Sequence, residues 1–177
     1  MDLEKQTNEK PLPDIIAENL DILFVGFNPG LQSAAQRHHY AGKSNRFWRF
    51  LYESGLTPVQ LKPQEDRKLL DYRYGSTNIV DRETRNAEEI RDEEYDIGRE
   101  HLKQLILKYK PKIVCYVGIG VYKKFSNRKD VVTGLQQNSV VGGVRDYVCS
   151  STSGLNSKPM EEQITCFKEL LKLLKEI

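Results

Sequence analysis

A three-layer αβα domain with a central, largely parallel sheet is the fold class this sequence predicts, and three observations predict it. An apolar run of strand length inside ENLDILFVGF ends at the turn formers Asn28-Pro29-Gly30. A helix-spaced stretch over 98–110 breaks at Pro111 and feeds KIVCYV at 112–117, the order of a crossover unit. The chain then closes on an amphipathic stripe from Met160 onward. Strands alternating with helices bury their apolar faces by sandwiching a mostly parallel sheet between two helical layers.

Taken in order, residues 1–13 read as a polar N-terminal tail and 14–177 as a single domain. The run over 17–27 is a buried strand feeding a loop. RFWRFLYES at 46–54 sets Phe47, Phe50 and Leu51 at helical spacing, with Gly55 as the stop. Thr77 to Val80 suggests a second short strand, and the charged segment 86–96 a solvated helix or loop. Leu102, Leu105 and Ile106 mark the helix before Pro111, and Val121 to Phe125 begins another. Leu135 to Val148 alternates around Gly142-Gly143, as two short strands joined by a turn would. Ile164, Phe167, Leu170, Leu171 and Leu174 form the last stripe, with Pro159 near its start.

Composition excludes several classes. With 38% apolar and 29% charged residues, no run approaches the roughly 18 residues of a spanning helix, so no membrane partner is expected. The N-terminal residues lack the apolar core of a signal peptide, so export is not expected either. Cys115, Cys149 and Cys166 are odd in number and widely spaced, which fits reduced thiols and falls one short of a four-cysteine cluster. Neither a metal nor a cofactor is expected. Gly118-Ile119-Gly120 follows a strand but lacks the third glycine and the acidic residue of a dinucleotide loop. A net charge of +2 does not by itself announce nucleic acid, so motifs must decide.

Gly26-Phe27-Asn28-Pro29-Gly30-Leu31 sits where a buried strand should end, the place where open α/β sheets collect ligands; the same residues also make an ordinary tight turn. His38-His39-Tyr40 follows, then Asn45-Arg46-Phe47-Trp48. Aromatic and amide groups interleaved with Lys43, Arg46 and Arg49 suit stacking on a base and touching phosphate.

These segments resemble the thymine-DNA glycosylase and mismatch-specific uracil-DNA glycosylase branch of the uracil-DNA glycosylase superfamily. The resemblance rests on GFNPGLQSAAQRHHYAGKSNRFW at 26–48, GSTNIVDRET at 75–84 and STSGLNS at 151–157, in that order. It implies a monofunctional, metal-free enzyme that flips a mismatched or damaged pyrimidine from double-stranded DNA and hydrolyses its N-glycosidic bond. Asn28 would position the attacking water, because an amide can orient water without acting as a strong base. Phe27, Ser33, His39, Tyr40 and Asn78 would form the base pocket, with Tyr40 stacking and Asn78 bonding the pyrimidine edge.

By the same resemblance Ser153, Gly154, Leu155, Asn156 and Lys158 belong to a loop that enters the duplex, with Leu155 as an apolar wedge. The sequence departs from the family at Ser157, where an Arg is usual. No lysine is placed for a Schiff base, so strand cleavage is not expected. HHYAG leans toward the eukaryotic side of the branch, which implies a nuclear protein, and a monomer is expected. The alternatives are a nucleic-acid-binding module that kept the fold without catalysis and a small-molecule enzyme using the same strand-end loop.

Overall fold

The computed structural model describes residues 10–177. Its centre is a five-stranded sheet in the order β2-β1-β3-β5-β4, built from β1 (Ile22–Gly26), β2 (Tyr74–Asn78), β3 (Ile113–Val117), β4 (Gly134–Leu135) and β5 (Arg145–Cys149). The first four strands in that order run parallel, and β4 pairs antiparallel at the edge. The predicted three-layer, largely parallel architecture is what the chain adopts.

The helices are α1 (Leu31–Gln36), α2 (Phe47–Glu53), α3 (Asp92–Tyr109), α4 (Ile119–Ser126) and α5 (Met160–Glu176), with 3-10 segments at Pro63–Tyr72 and Ala87–Glu89. Every residue of β1 and β3 is buried, as expected of strands covered on both faces. Side-chain alternation then builds two cores. Ile22, Phe24 and Cys115 meet Phe47, Phe50, Phe167 and Leu170 of α2 and α5. Leu23, Val25, Val114 and Tyr116 meet Ile106 of α3 and Tyr122 of α4.

Several expectations shift. The second strand begins at Tyr74, not Thr77, because parallel pairing with β1 recruits Tyr74-Gly75-Ser76, residues without a strong strand signature. Helix α3 starts at Asp92, inside the charged segment; Asp92, Glu93 and Glu94 suit the positive end of a helix whose buried side comes from Tyr95, Gly98, Leu102 and Ile106. Helix α1 and the 3-10 segment at 63–72 were not anticipated. The polar-tail expectation falls partly on residues 1–9, which lie outside the described residues. Within residues 10–13 Leu12 is buried, and the Pro13 carbonyl lies 2.8 Å from His39 Nε2.

The parallel strands deliver their C-terminal ends, at Gly26, Asn78, Val117 and Cys149, to one edge of the sheet. From β1 the chain proceeds to β2 on one side and later returns to β3 on the other. A crevice opens where such a switch occurs.

Candidate active site

A cavity of about 540 Å³ occupies this edge, within the size range of ordinary small-ligand sites. Phe27, Asn28, Ser33, His39, Tyr40, Asn78 and Ser153 all line it. Segments far apart in sequence therefore meet at one place.

Asn28 is held by its amide nitrogen. Nδ2 donates to the Arg82 carbonyl and to Thr84 Oγ1, both at 2.8 Å. A carbonyl can only accept, and the Thr84 hydroxyl spends its proton on the Asn86 carbonyl at 2.7 Å, so both partners require the NH2 group on their side. Asn28 Oδ1 is left as an acceptor without a protein partner among the described residues, in a side chain that lines the cavity. Thr84 is buried and accepts from the amide; its part is visible only once the chain is folded. We expect Thr84→Val to lower any Asn28-dependent rate about tenfold, the worth of one hydrogen bond, with ligand affinity unchanged. An unchanged rate would show that Arg82 alone suffices.

The Arg82 side chain braces the same turn, pairing with Glu94 at 2.6 and 3.1 Å and donating to the Glu89 carbonyl at 3.0 Å. Those bonds from Arg82, with the Arg91 N–H, hold the Glu94 carboxyl down to about 2. Because the folded value is depressed, the stabilisation is present above the ordinary 4.5 and is lost as pH falls toward 2. The melting-temperature gap between wild type and Glu94→Gln should therefore narrow across that window; a constant gap would mean the pair is not coupled to folding.

Tyr40 adopts a left-handed φ of 50° and lays its ring on Phe47, with centroids 3.9 Å apart and planes at 15°. Its hydroxyl is buried without a partner, and burial drives the phenol far above its ordinary range, so it stays neutral. A Cβ on Gly26 would stand 2.7 Å from Asn78 Oδ1 and 3.2 Å from the Tyr40 hydroxyl. Only glycine there lets these two polar groups converge over the strand end. The Asn78 side chain has no hydrogen bond among the described residues and lines the cavity.

The other pocket residues are more committed. His39 is buried, with Nδ1 2.8 Å from Ser76 Oγ and Nε2 at the Pro13 carbonyl, and burial lowers its pKa. It lines the cavity as a neutral ring already bonded on both nitrogens. Its backbone N–H donates to the buried Asp66 at 2.9 Å, a carboxylate that no motif singles out. Ser33 Oγ accepts the Ala41 N–H at 3.0 Å and keeps its proton to donate. The Phe27 ring lines the cavity and packs edge-on to Tyr95 at 6.4 Å and close over Gly120.

Of the three cations read for phosphate, only Lys43 is open. Arg46 Nη1 donates to Gln163 Oε1 and the Asn156 carbonyl, and Arg49 pairs with Glu53 at 2.7 Å. Arg85, on the cavity wall, was missed; it carries no pattern beyond an arginine in a charged stretch. Leu155 stands 89% exposed at the tip of its loop, with Lys158 and Ser157 also exposed. The three thiols are free and buried, Cys166 Sγ accepting the Ser150 N–H at 3.3 Å.

The family model of the uracil DNA glycosylase superfamily matches residues 13–175. The chain belongs to that superfamily. Among solved structures, the solution NMR structure of a protein from Methanosarcina acetivorans, provisionally assigned as a uracil DNA glycosylase, superposes with a TM-score of 0.64 at 21% identity. The match covers 94% of this chain and 98% of that one, and it shows the superfamily fold. Membership fixes the activity class as glycosylase chemistry on DNA.

Proposed function

We propose that this glycosylase belongs to the thymine-DNA and mismatch-specific uracil-DNA branch and removes uracil opposite guanine from duplex DNA. Thymine opposite guanine and ethenocytosine are the extensions the resemblance suggests. One observation carries the reading: Asn28 offers a fixed, otherwise unused carbonyl oxygen to the cavity, and the turn that fixes it is braced on three sides. Such an oxygen accepts a hydrogen bond from a water and so aims the water's lone pair at the sugar carbon. The water adds to that carbon as the glycosidic bond breaks, the base leaves with the bonding electrons, and the proton the water gives up ends, through solvent, on the departed base, leaving the sugar as a hemiacetal and the base neutral. Positive charge on the sugar is stabilised by the DNA's own phosphates.

Tyr40 supplies the stacking face that Phe47 leaves open, while the Asn78 amide meets the polar edge of the base. Leu155 enters the gap the base vacates, and Lys43, Arg85 and Lys158, none in an ion pair among the described residues, face the backbone. The protein acts as a monomer without a metal, and a nuclear location is proposed on the HHYAG resemblance. A binding module without catalysis would have no use for an amide held at this orientation.

Strands carrying uracil opposite guanine, uracil opposite adenine and thymine opposite guanine, each incubated in EDTA and then cleaved with alkali, test this assignment. Excision should be fastest opposite guanine and unaffected by the chelator. Equal rates opposite guanine and adenine would place the chain outside the mismatch-specific branch, and restoration by a divalent ion would introduce a metal.

A further inference from the structure

The loop from Ser150 to Pro159 is held from behind by a clamp that does not touch the cavity. Gln163, on the first turn of α5, is fully buried. Its Nε2 donates to the Lys158 carbonyl at 2.6 Å and the Asn156 carbonyl at 3.3 Å, while its Oε1 accepts Arg46 Nη1 at 3.1 Å. The same Arg46 nitrogen reaches the Asn156 carbonyl at 3.3 Å, and the Arg46 backbone N–H donates to the Thr152 carbonyl at 2.8 Å. Carbonyls on both sides of Leu155 are thereby fixed to two elements, α5 and the start of α2.

Two further contacts tighten the fit. Gly154 lies so close to Ser44 that a Cβ would fall 2.5 Å from that side chain, so the loop rests directly on the 42–46 segment. Within the loop, Asn156 Nδ2 donates to the Ser151 carbonyl at 2.9 Å and the Leu155 N–H to Ser153 Oγ at 3.2 Å. Leu155 projects from this frame as the loop's exposed large apolar side chain.

We infer that Gln163 and Arg46 are positioning residues for strand insertion: they hold the Leu155 loop in its inserting shape before DNA arrives. The inference rests on the wedge reading of Leu155. Pushing an apolar side chain into a base stack requires support behind it, because a floppy tip would lose entropy on entry and gain less from the stack. A buried amide suits the task, since it bonds two carbonyls and a guanidinium at once, and leaving those groups unpaired in the interior is costly. The clamp also removes Arg46 from phosphate binding, which explains why a cation in the motif region points inward.

The test uses the ratio of excision rates on a G·U duplex and on the same uracil strand alone, in single turnover. A single strand has little stacking to displace, so a defect in insertion lowers the ratio, whereas general loss of fold lowers both rates together. Gln163→Met, which keeps bulk and removes every bond, should lower the ratio about tenfold. Arg46→Met, on a half-buried side chain, probes the same clamp from its other end and should lower it in the same direction. Leu155→Ala is the reference for the wedge itself. If Leu155→Ala lowers the ratio and both clamp variants leave it at the wild-type value, the clamp has no part in insertion. If Leu155→Ala leaves the ratio unchanged, the wedge reading fails, and the inference fails with it.

Discussion

Asn28→Ala should lower base excision about a hundredfold or more in single-turnover rate on a G·U duplex, the scale set by losing orientation of a nucleophile, while leaving DNA binding nearly intact. The side chain covers little surface, and its NH2 group is already bonded within the protein, so its removal costs few DNA contacts. Loss of the carbonyl oxygen is therefore the main change a bound substrate meets. A variant that binds normally and fails to cut fits this chemistry. Near-normal excision by Asn28→Ala would take the residue out of the reaction.

Tyr40→Ala should depress excision of every pyrimidine by a similar factor, about ten- to a hundredfold, since a base on an aromatic ring is worth roughly 1–3 kcal/mol whatever its edge presents. Asn78→Ala should instead change which base is preferred, because an amide reads donor and acceptor positions. Tyr40→Phe keeps the ring on Phe47 and removes only the orphan hydroxyl, so most of the rate should survive. Rates on uracil and thymine opposite guanine for all three variants check this. If Tyr40→Ala alters preference and Asn78→Ala lowers all rates alike, the two roles are exchanged.

How much of this was legible beforehand depends on the range of the interaction that decides each feature. The buried strands β1 and β3 announced themselves, since a strand covered on both faces must be apolar throughout. Helix α5 did too, through its stripe. Strand β2 was displaced because Gly75 and Ser76 become strand only by pairing with Leu23 and Phe24 of β1, far away along the chain. Asn28, Tyr40 and Asn78 came from motif resemblance, and the fold gathers them at one cavity.

What holds them was not legible. Thr84 faces Asn28 only after the 82–86 turn folds back on the strand end, and Asp66 reaches the His39 N–H from a 3-10 segment without a sequence signature. Arg46 shows the converse. Beside an aromatic motif it suggested phosphate, yet a buried Gln163 more than a hundred residues away draws it inward. Sequence spacing locates groups that act at strand ends; it does not reveal the partners that orient them.

Mass spectrometry of a G·U duplex after incubation with the wild-type chain in EDTA examines the proposed reaction most directly. The uracil strand should emerge uncut and lighter by one uracil less one water, with free uracil in solution, and the same strand should be unaltered after incubation with Asn28→Ala. An unaltered strand with the wild-type chain, or one cleaved at the uracil without alkali, would contradict it.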